Sequence, residues 1–486
     1  KQAIDTDPQA RQLIQTAKKL EGVARHASTH ACGVVIAKEP IVEYMPLQWA
    51  HSSKGGEQAL VTQYEMRSVE ALGLLKMDIL GLRNLTIIEK TLNLVEKNYG
   101  KKLDIYGIPL DDYEVFKLLQ RADTTGVFQL ESNGMRRYLK ELRPTEIEDI
   151  IVMVAAFRPG PMEFIPAYIA RKNGKERVEY LHPKLEPILK STHGVAIYQE
   201  QVLKIANQLA GFTIGEADIL RKAVGKKIKK LLDEQSEKFI SGMISNGIHT
   251  ETAEKIWHFI EPFARYGFNR SHAACYALLS YQTAYLKVKY PAEFMASLLN
   301  AESFDLDRVA IIINEAKRMG MEILPPSVNE SLEDFTLIRD EKTKIRFGLS
   351  AIKNLSKGAI ESIIKDRETN GEFLGISDFV ERIPAKDLNK KSLEAMIKCG
   401  AFDAFEERKK LLVNTEELLR YSKDLGKKNS SSQIGLFDSY SSLAPLKLVS
   451  AEPAEKREKL AWEKELLGLY TSEHPTSEYS EIMEKK

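Results

Sequence analysis

Cysteine is scarce in this 486-residue chain, and the few residues present do not cluster. Cys32, Cys275 and Cys399 form no C-x-x-C pair and no zinc-ligand spacing. A disulfide scaffold and a zinc-finger-type site are thereby excluded, and three buried, reduced thiols in a cytoplasmic protein are expected. Long apolar runs are missing as well. The longest, such as Ile150–Phe157, are far too short to span a bilayer, so no membrane partner is expected. Lys1–Gln12 is polar and has no apolar centre, which excludes a signal-peptide reading of that stretch. An excess of one charge is also absent: the net charge is +1, which argues neither for nor against nucleic acid.

What is present is typical of a globular protein, with 43% hydrophobic and 29% charged residues. At roughly 100–200 residues per domain, the length suggests three or four domains. The first periodic segment is already under way at Lys1, which suggests a piece of a longer protein. Asp7-Pro8 opens a helix to about Glu21, with Asp7 as N-cap and Pro8 at the first helical position. Gly33–Ile36, Ala59–Tyr64 and Leu74–Ile79 look like strands. After Gly81, Leu85, Ile88, Leu92 and Val95 recur at helical spacing, and that period dominates to about Arg318. Pro325-Pro326 breaks it. Strands are expected near Phe335–Ile338 and Ile345–Phe347, then short helices to about Leu425. Gly426 to Ser432 reads as a flexible linker, followed by a tail with a helix around Trp462–Leu469.

Two places carry chemistry on the residues alone. Lys76 and Asp78 interrupt an apolar strand, two positions apart and therefore on one face. A buried carboxylate is costly unless paired or bound to metal, so the pair is either an internal salt bridge or a metal-binding site. Between Arg221 and Lys230 six of ten residues are basic: Arg221, Lys222, Lys226, Lys227, Lys229 and Lys230. A charge run of this kind is commonly a solvated helix face, and it equally suits a triphosphate or a nucleic-acid backbone.

Lys76-Met-Asp-Ile-Leu-Gly-Leu-Arg-Asn-Leu-Thr86 resembles the palm motif of the bacterial DNA polymerase III alpha subunits, the C family of replicative polymerases. Thr125-Gly-Val-Phe-Gln-Leu-Glu-Ser132, Phe157-Arg-Pro-Gly-Pro161, Ile197-Tyr-Gln-Glu-Gln201 and Tyr266-Gly-Phe-Asn-Arg-Ser-His-Ala273 are similar to its fingers signatures, in the family's order. The resemblance covers essentially the whole chain. It implies an α+β, mainly α-helical fold with a short palm sheet piece, a large helical fingers domain and a tandem helix-hairpin-helix domain. The implied parts are the end of the thumb (1–25), the C-terminal part of the palm (26–85), the fingers (86–325), a hairpin and clamp-binding domain (326–425), a linker with a clamp-binding motif (426–445) and a helical lead-in to an OB-fold (446–486).

The implied activity is DNA-directed DNA synthesis by a two-metal mechanism with Mg2+, in which Asp78 is a metal ligand and Lys76 faces the triphosphate. Arg221 and Lys222, in Gly215-Glu-Ala-Asp-Ile-Leu-Arg-Lys-Ala-Val-Gly-Lys-Lys227, grip the incoming dNTP, with His272, Arg270 and Tyr266 beside them. Lys222 stands where the family also carries arginine, keeping charge but giving up a bidentate fork. A lone histidine is more often a structural residue, and that reading of His272 stays open. Lys226 and Lys227 are implied DNA contacts, as are Lys353 and Lys357 in the first hairpin, Phe347–Ile360, where Asn354 and Ser356 stand at turn positions. The second hairpin runs from Leu388 to about Phe402.

Gln433-Ile-Gly-Leu-Phe437 resembles the peptide by which bacterial polymerases bind the sliding clamp, with Gln433, Leu436 and Phe437 as anchors. The implied partners are primer-template DNA, dNTPs, the clamp and other polymerase III holoenzyme subunits. A two-metal site needs further carboxylates. Asp5-Thr-Asp7 and Asp305-Leu-Asp307 each precede a helix and are better explained as caps. The family's strand-borne aspartate pair is expected upstream of Lys1. The alternative reading is therefore a DNA- and clamp-binding module without catalysis of its own.

Overall fold

The computed structural model describes residues 5–23, 28–30, 32–50, 59–226, 229–339, 343–430 and 446–472; the side chains of 224–226, 229–231, 262–266, 339 and 426–430 fall outside the description. The fold is α+β and mainly helical, in two units, 1–82 and 83–486.

In the first unit, α1 (Pro8–Leu20) starts where Asp7 accepts a hydrogen bond from the Gln9 amide at 2.8 Å, with proline in the first turn. Strand β1 (Gly33–Ile36) precedes β2 (Leu47–Trp49) and β3 (Leu60–Thr62), which pair with each other antiparallel. Helix α2 (Met66–Ala71) is capped by the Glu65 carboxylate and leads into β4 (Leu75–Asp78). β4 pairs antiparallel with β1, setting Gly33 opposite Asp78 and Val35 opposite Lys76. Opposed residues share a face. Gly33, Val35, Lys76 and Asp78 therefore form one face, and Val34, Ile36, Leu75 and Met77 the other. Asp78 is 44% exposed, so the expectation of a carboxylate enclosed in an apolar strand is corrected: the strand is too thinly covered within its unit to bury it.

The second unit begins with α3 (Arg83–Tyr99), α4 (Tyr113–Arg121), α5 (Asn133–Leu142), α6 (Ile147–Ala156), α7 (Ile165–Lys172) and the single turn α8 (Glu186–Leu189). There follow α9 (Gln199–Ala210), α10 (Ile214–Lys226), α11 (Lys229–Ser245), α12 (Thr250–Tyr266), α13 (Arg270–Lys289), α14 (Pro291–Ala301) and α15 (Leu306–Arg318). The apolar run at Ile150 is α6, buried on nearly every face, as a helix hydrophobic all round must be. Of its two carboxylates, Asp149 is fully buried and satisfied by Lys172 Nζ at 2.5 Å, the Tyr168 hydroxyl at 3.0 Å and the Thr145 amide at 2.8 Å. Against α6 packs α13, whose Ala273, Ala277 and Ala284 permit close approach. Asp305 caps α15 by accepting from the amides of Asp307 and Arg308, as its sequence context suggested.

A three-stranded sheet follows, with β5 (Glu322–Leu324) parallel and β6 (Thr336–Arg339) antiparallel to a central β7 (Thr343–Arg346). Helices α16 (Lys357–Asn370), α17 (Ile376–Arg382), α18 (Lys390–Lys398), α19 (Arg408–Val413), α20 (Thr415–Ser430) and α21 (Lys456–Leu467) complete the described chain. Helix α20 continues to Ser430, so the linker does not begin at Gly426. Propagating an existing helix through Lys427 and Lys428 is cheap, even across one glycine. The segment 446–472 is no loose tail: Glu463 of α21 is fully buried, accepting from Arg408 Nη1 at 3.0 Å and the Thr471 amide at 2.8 Å.

The thiols need a correction too. Cys399 is buried, and burial pushes its thiol up to about 12, but Cys275 is exposed and Cys32 half-buried. Cys275 lies two positions from both Ala273 and Ala277, about half a turn round the helix from the buried stripe of α13. Among the described residues, no helix is long and apolar enough to cross a membrane.

Candidate functional site

On β4, Lys76 Nζ donates to Asp78 Oδ1, so the ion pair expected from the spacing is present. That hydrogen bond is the main reason the Asp78 carboxyl lies below the usual carboxylate range, and it leaves a carboxylate ionised at neutral pH. Two residues of this corner were missed by sequence reasoning. His30 Nδ1 lies 3.5 Å from the same Asp78 oxygen. Gly33, opposite Asp78 on β1, keeps the corner open: a Cβ there would stand 2.9 Å from His30 Nδ1 and 3.5 Å from Asp78 Oδ1. The only available signal was a glycine at the start of a strand. Room and an ionised oxygen donor suit Mg2+, which takes oxygen ligands and keeps several waters. Asp78 supplies one such ligand, and among the described residues no group of three His, Cys, Asp or Glu converges.

In the second unit the structure brings four of the fingers-like motifs together. Tyr198 and Phe268 form a parallel bridge, with the Gln199 amide donating to Phe268 O at 2.9 Å and the Phe268 amide to Ile197 O at 3.2 Å. Gln199 Nε2 donates to Gly267 O at 3.0 Å. The Glu200 carboxylate accepts from Asn269 Nδ2 at 2.8 Å and from the Arg270 amide at 3.1 Å. Asn269 in turn caps α13 by accepting from the His272 amide at 2.8 Å. Ile197–Gln201 thus locks the start of α13 in place, and the α13 N-terminus, a favourable seat for an anion, already holds the Glu200 carboxylate. Glu200 is the residue whose role the sequence concealed, because its partners lie 69 and 70 positions away.

The side chains around that junction are aromatic and cationic. His272 meets Phe268 edge to face (ring centroids 5.3 Å) and lies at a shallow tilt to Tyr276 (4.4 Å), and Tyr276 meets Phe128 at 5.3 Å. Arg158 lies 4.6 Å over the Phe268 ring. The Arg270 guanidinium reaches Glu148 of α6. Phe128, Arg158, Tyr198 and His272 come from four separate motifs.

On α10 one carboxylate serves both expected phosphate ligands. Asp218 Oδ1 accepts from Arg221 Nε at 2.9 Å and Nη2 at 2.8 Å, and Oδ2 from Lys222 Nζ at 2.8 Å. The spacing i, i+3, i+4 places all three on one helix face. These hydrogen bonds, that of Lys222 foremost, hold the Asp218 carboxyl below its ordinary range. The side chains of Lys226 and Tyr266 lie outside the described residues, as do Lys227, Gln433, Leu436 and Phe437 altogether.

Residues 1–81 match the family model described as the bacterial DNA polymerase III alpha NTPase domain, and 84–247 match the bacterial DNA polymerase III alpha subunit finger domain. Residues 320–412 match a helix-hairpin-helix motif. The DNA polymerase III subunit alpha of Thermus aquaticus is 46% identical over 486 residues, covering 99% of this chain and 39% of that protein. Its namesakes are 43% identical in Aquifex aeolicus (100% of this chain, 40% of that protein) and 44% identical in Bacillus subtilis (96% and 41%). The chain belongs to the bacterial DNA polymerase III alpha family. It spans about two-fifths of the length of these curated relatives.

In this chain the first hairpin turns at Asn354, whose φ of 71° is left-handed, a conformation asparagine tolerates. Ser356 caps α16 through the Ala359 amide at 3.3 Å. Lys353 and Lys357 are both exposed. Lys357 Nζ lies 3.6 Å from Glu361, and the Lys353 amide is taken by Leu466 O of α21 at 3.0 Å. The hairpin therefore leaves both lysine side chains exposed while that turn amide is already used.

Proposed function

We propose that this chain is the palm end, fingers and hairpin region of a DNA-directed DNA polymerase that binds primer-template DNA and an incoming dNTP. The observation that carries the reading is Asp78, an ionised and accessible carboxylate beside Lys76, with Gly33 keeping space in front of it. Asp78 would be one ligand of the family's Mg2+ ions, the other carboxylates coming from elsewhere in the polymerase. Bound there, the metal would supply activation of the primer 3′-hydroxyl and charge stabilisation on the phosphates. Lys76 would hold the Asp78 oxygen in place and face the triphosphate. Arg221, Lys222 and Arg270 would bind phosphate oxygens, arginine by its planar fork and lysine as a point charge. His272, held edge-on by Phe268 and stacked near Tyr276, would present an imidazole N–H where leaving charge develops. Lys226 and Lys227 would continue the basic track along DNA, and Lys353 and Lys357 would touch the duplex backbone.

In the complete polymerase, Asp78→Asn is expected to abolish incorporation while leaving DNA affinity nearly unchanged. More than about a tenth of the wild-type single-turnover rate would reassign Asp78 to a purely structural pair with Lys76.

We also propose that Gln433, Leu436 and Phe437 dock on the sliding clamp, within a larger replicative assembly. Two large apolar side chains concentrate the binding energy of a short peptide, and tethering raises its effective concentration. Leu436→Ala with Phe437→Ala should remove clamp capture in a pull-down and leave the melting temperature unchanged. Lower thermal stability with intact capture would mean that the two side chains pack on their own chain.

A further inference from the structure

Among the described residues, the three cations assigned above to phosphate, Arg221, Lys222 and Arg270, are each already paired with a carboxylate of the same chain. Asp218 divides its two oxygens between Arg221 and Lys222, and Glu148 holds Arg270. These pairs are partly accessible: Arg221 is 31% exposed, Asp218 38%, Lys222 58%, Arg270 44% and Glu148 29%. They differ in kind from Lys172–Asp149, where the carboxylate is fully buried and also bonded to a hydroxyl and backbone amides. Exposed pairs are weak and exchangeable, whereas breaking a buried pair strands a charge. Asp218 takes Nε and Nη2 of Arg221, and among the described residues Nη1 has no hydrogen-bond partner, so a phosphate can meet that arginine before Asp218 releases it. Glu148 differs from Asp218: it is 29% exposed, one of its oxygens holds Arg270, and the other is buried without a hydrogen-bond partner among the described residues, so that carboxylate is only half satisfied by its pair.

Resting on the nucleotide-binding reading above, we propose that Asp218 and Glu148 are displaceable counter-ions which set the selectivity of this site for a triphosphate over less charged phosphate ligands. A ligand must recover the ion pairs it breaks. A triphosphate brings enough negative charge to replace both carboxylates. A diphosphate recovers less, and a DNA backbone, with one charge per phosphate, recovers least. The masks therefore keep primer-template backbone and spent nucleotide out of a site rich in cations. In this role Asp218 and Glu148 are specificity residues that touch the ligand's partners and not the ligand.

The test uses the complete polymerase with primed DNA and Mg2+. Asp218→Asn and Glu148→Gln preserve size and an acceptor oxygen while removing charge. For each variant and the double variant, the KM for a dNTP and the Ki of the matching deoxynucleoside diphosphate would be measured. The KM should fall roughly two- to fivefold per mask, and the Ki should fall by a larger factor, narrowing the ratio between them. A KM that rises or stays unchanged, or a ratio that does not narrow, overturns the proposal. Arg221→Ala with Lys222→Ala separates the two levels of inference. If that variant raises KM and the mask variants do not lower it, the counter-ion role alone fails. If that variant leaves KM at the wild-type value, the nucleotide site itself is misplaced and both readings fall. Melting curves within a few degrees of wild type keep misfolding out of the comparison.

Discussion

The two ends of α13 use the same kind of interaction for different ends. At its start, Arg270 and His272 are exposed, and the Arg270–Glu148 pair stands partly in water. At its close, Lys287 is 1% exposed and donates to Asp123 O at 2.7 Å, Thr125 O at 2.9 Å and Glu315 Oε1 at 2.6 Å. Burial raises the Glu315 carboxyl, but hydrogen bonds from Arg318 and Lys287 outweigh it and leave the group below its ordinary range. The interior cation spends all three of its protons on fixed acceptors and has nothing left for a ligand. The exposed one is held by a carboxylate that solvent and salt can replace. Charge alone does not mark a functional residue; the exchangeability of its partner does.

The comparison breaks most visibly if Lys287 is removed. Lys287→Met nearly conserves volume but strands two carbonyls and weakens the neutralisation of Glu315, a loss of about 3–5 kcal/mol. The expected signs are a large fall in melting temperature and lost hydrogen-exchange protection in α13 and α15. Because Asp123 O and Thr125 O belong to the approach of the Thr125–Ser132 motif, disorder there should follow. A variant melting at the wild-type temperature would show that the interior pair is dispensable packing.

Arg270→Ala should have the opposite profile. An exposed pair of this kind contributes less than about 1 kcal/mol, so the melting temperature should shift by a few degrees at most. The KM for nucleotide in the complete polymerase should nevertheless rise several-fold. If the variant instead melts as early as Lys287→Met, the start of α13 is also structural and the contrast fails.

Much of this was legible in the sequence. The period Leu85, Ile88, Leu92, Val95 located α3, although Leu85 proves half exposed and Ile87 and Thr91 share the buried face. Asp7 and Asp305 announced themselves as caps because capping is local, settled within three residues. What stayed hidden was long-range. Glu200, Glu148 and His30 each act on a partner 48 to 122 positions away, and no local pattern encodes such a meeting. The extension of α20 past Gly426 was missed for a different reason: a polar, glycine-containing stretch looks like linker until an established helix runs into it. Exposure was misjudged for Cys275 because a small residue on a helix carries no sign of which way it faces.

The smallest effect belongs to a third ion pair, which sharpens the rule. Thr213-Ile-Gly-Glu216 is a reciprocal capping box at the start of α10: the Thr213 amide donates to Glu216 Oε2 at 2.8 Å, and the Glu216 amide to Thr213 Oγ1 at 3.3 Å. Lys238 of α11 adds an ion pair at 2.5 Å. The Lys238 hydrogen bond, and then those from Thr213, pull the Glu216 carboxyl down to about 2 from an ordinary value of 4.5. A depressed carboxyl stabilises the fold fully above its unfolded value, and that contribution is lost as pH falls from 4.5 towards about 2. Yet both partners are well exposed, Lys238 at 48% and Glu216 at 38%, so solvent screening discounts the contribution heavily. Glu216→Gln keeps the acceptor for the Thr213 amide and removes the titration. The variant should be slightly less stable than wild type at pH 6, and the gap in urea midpoint should narrow as pH falls below 4.5, closing only near the folded value of about 2. Raising salt from 0.1 to about 1 M should shrink the gap at pH 6, since screening shortens from about 10 to 3 Å, while leaving the Lys287→Met deficit untouched. A gap that does not narrow between pH 4.5 and pH 3 and that persists in high salt would place Glu216 with the interior pairs, and exposure would then no longer separate exchangeable partners from fixed ones.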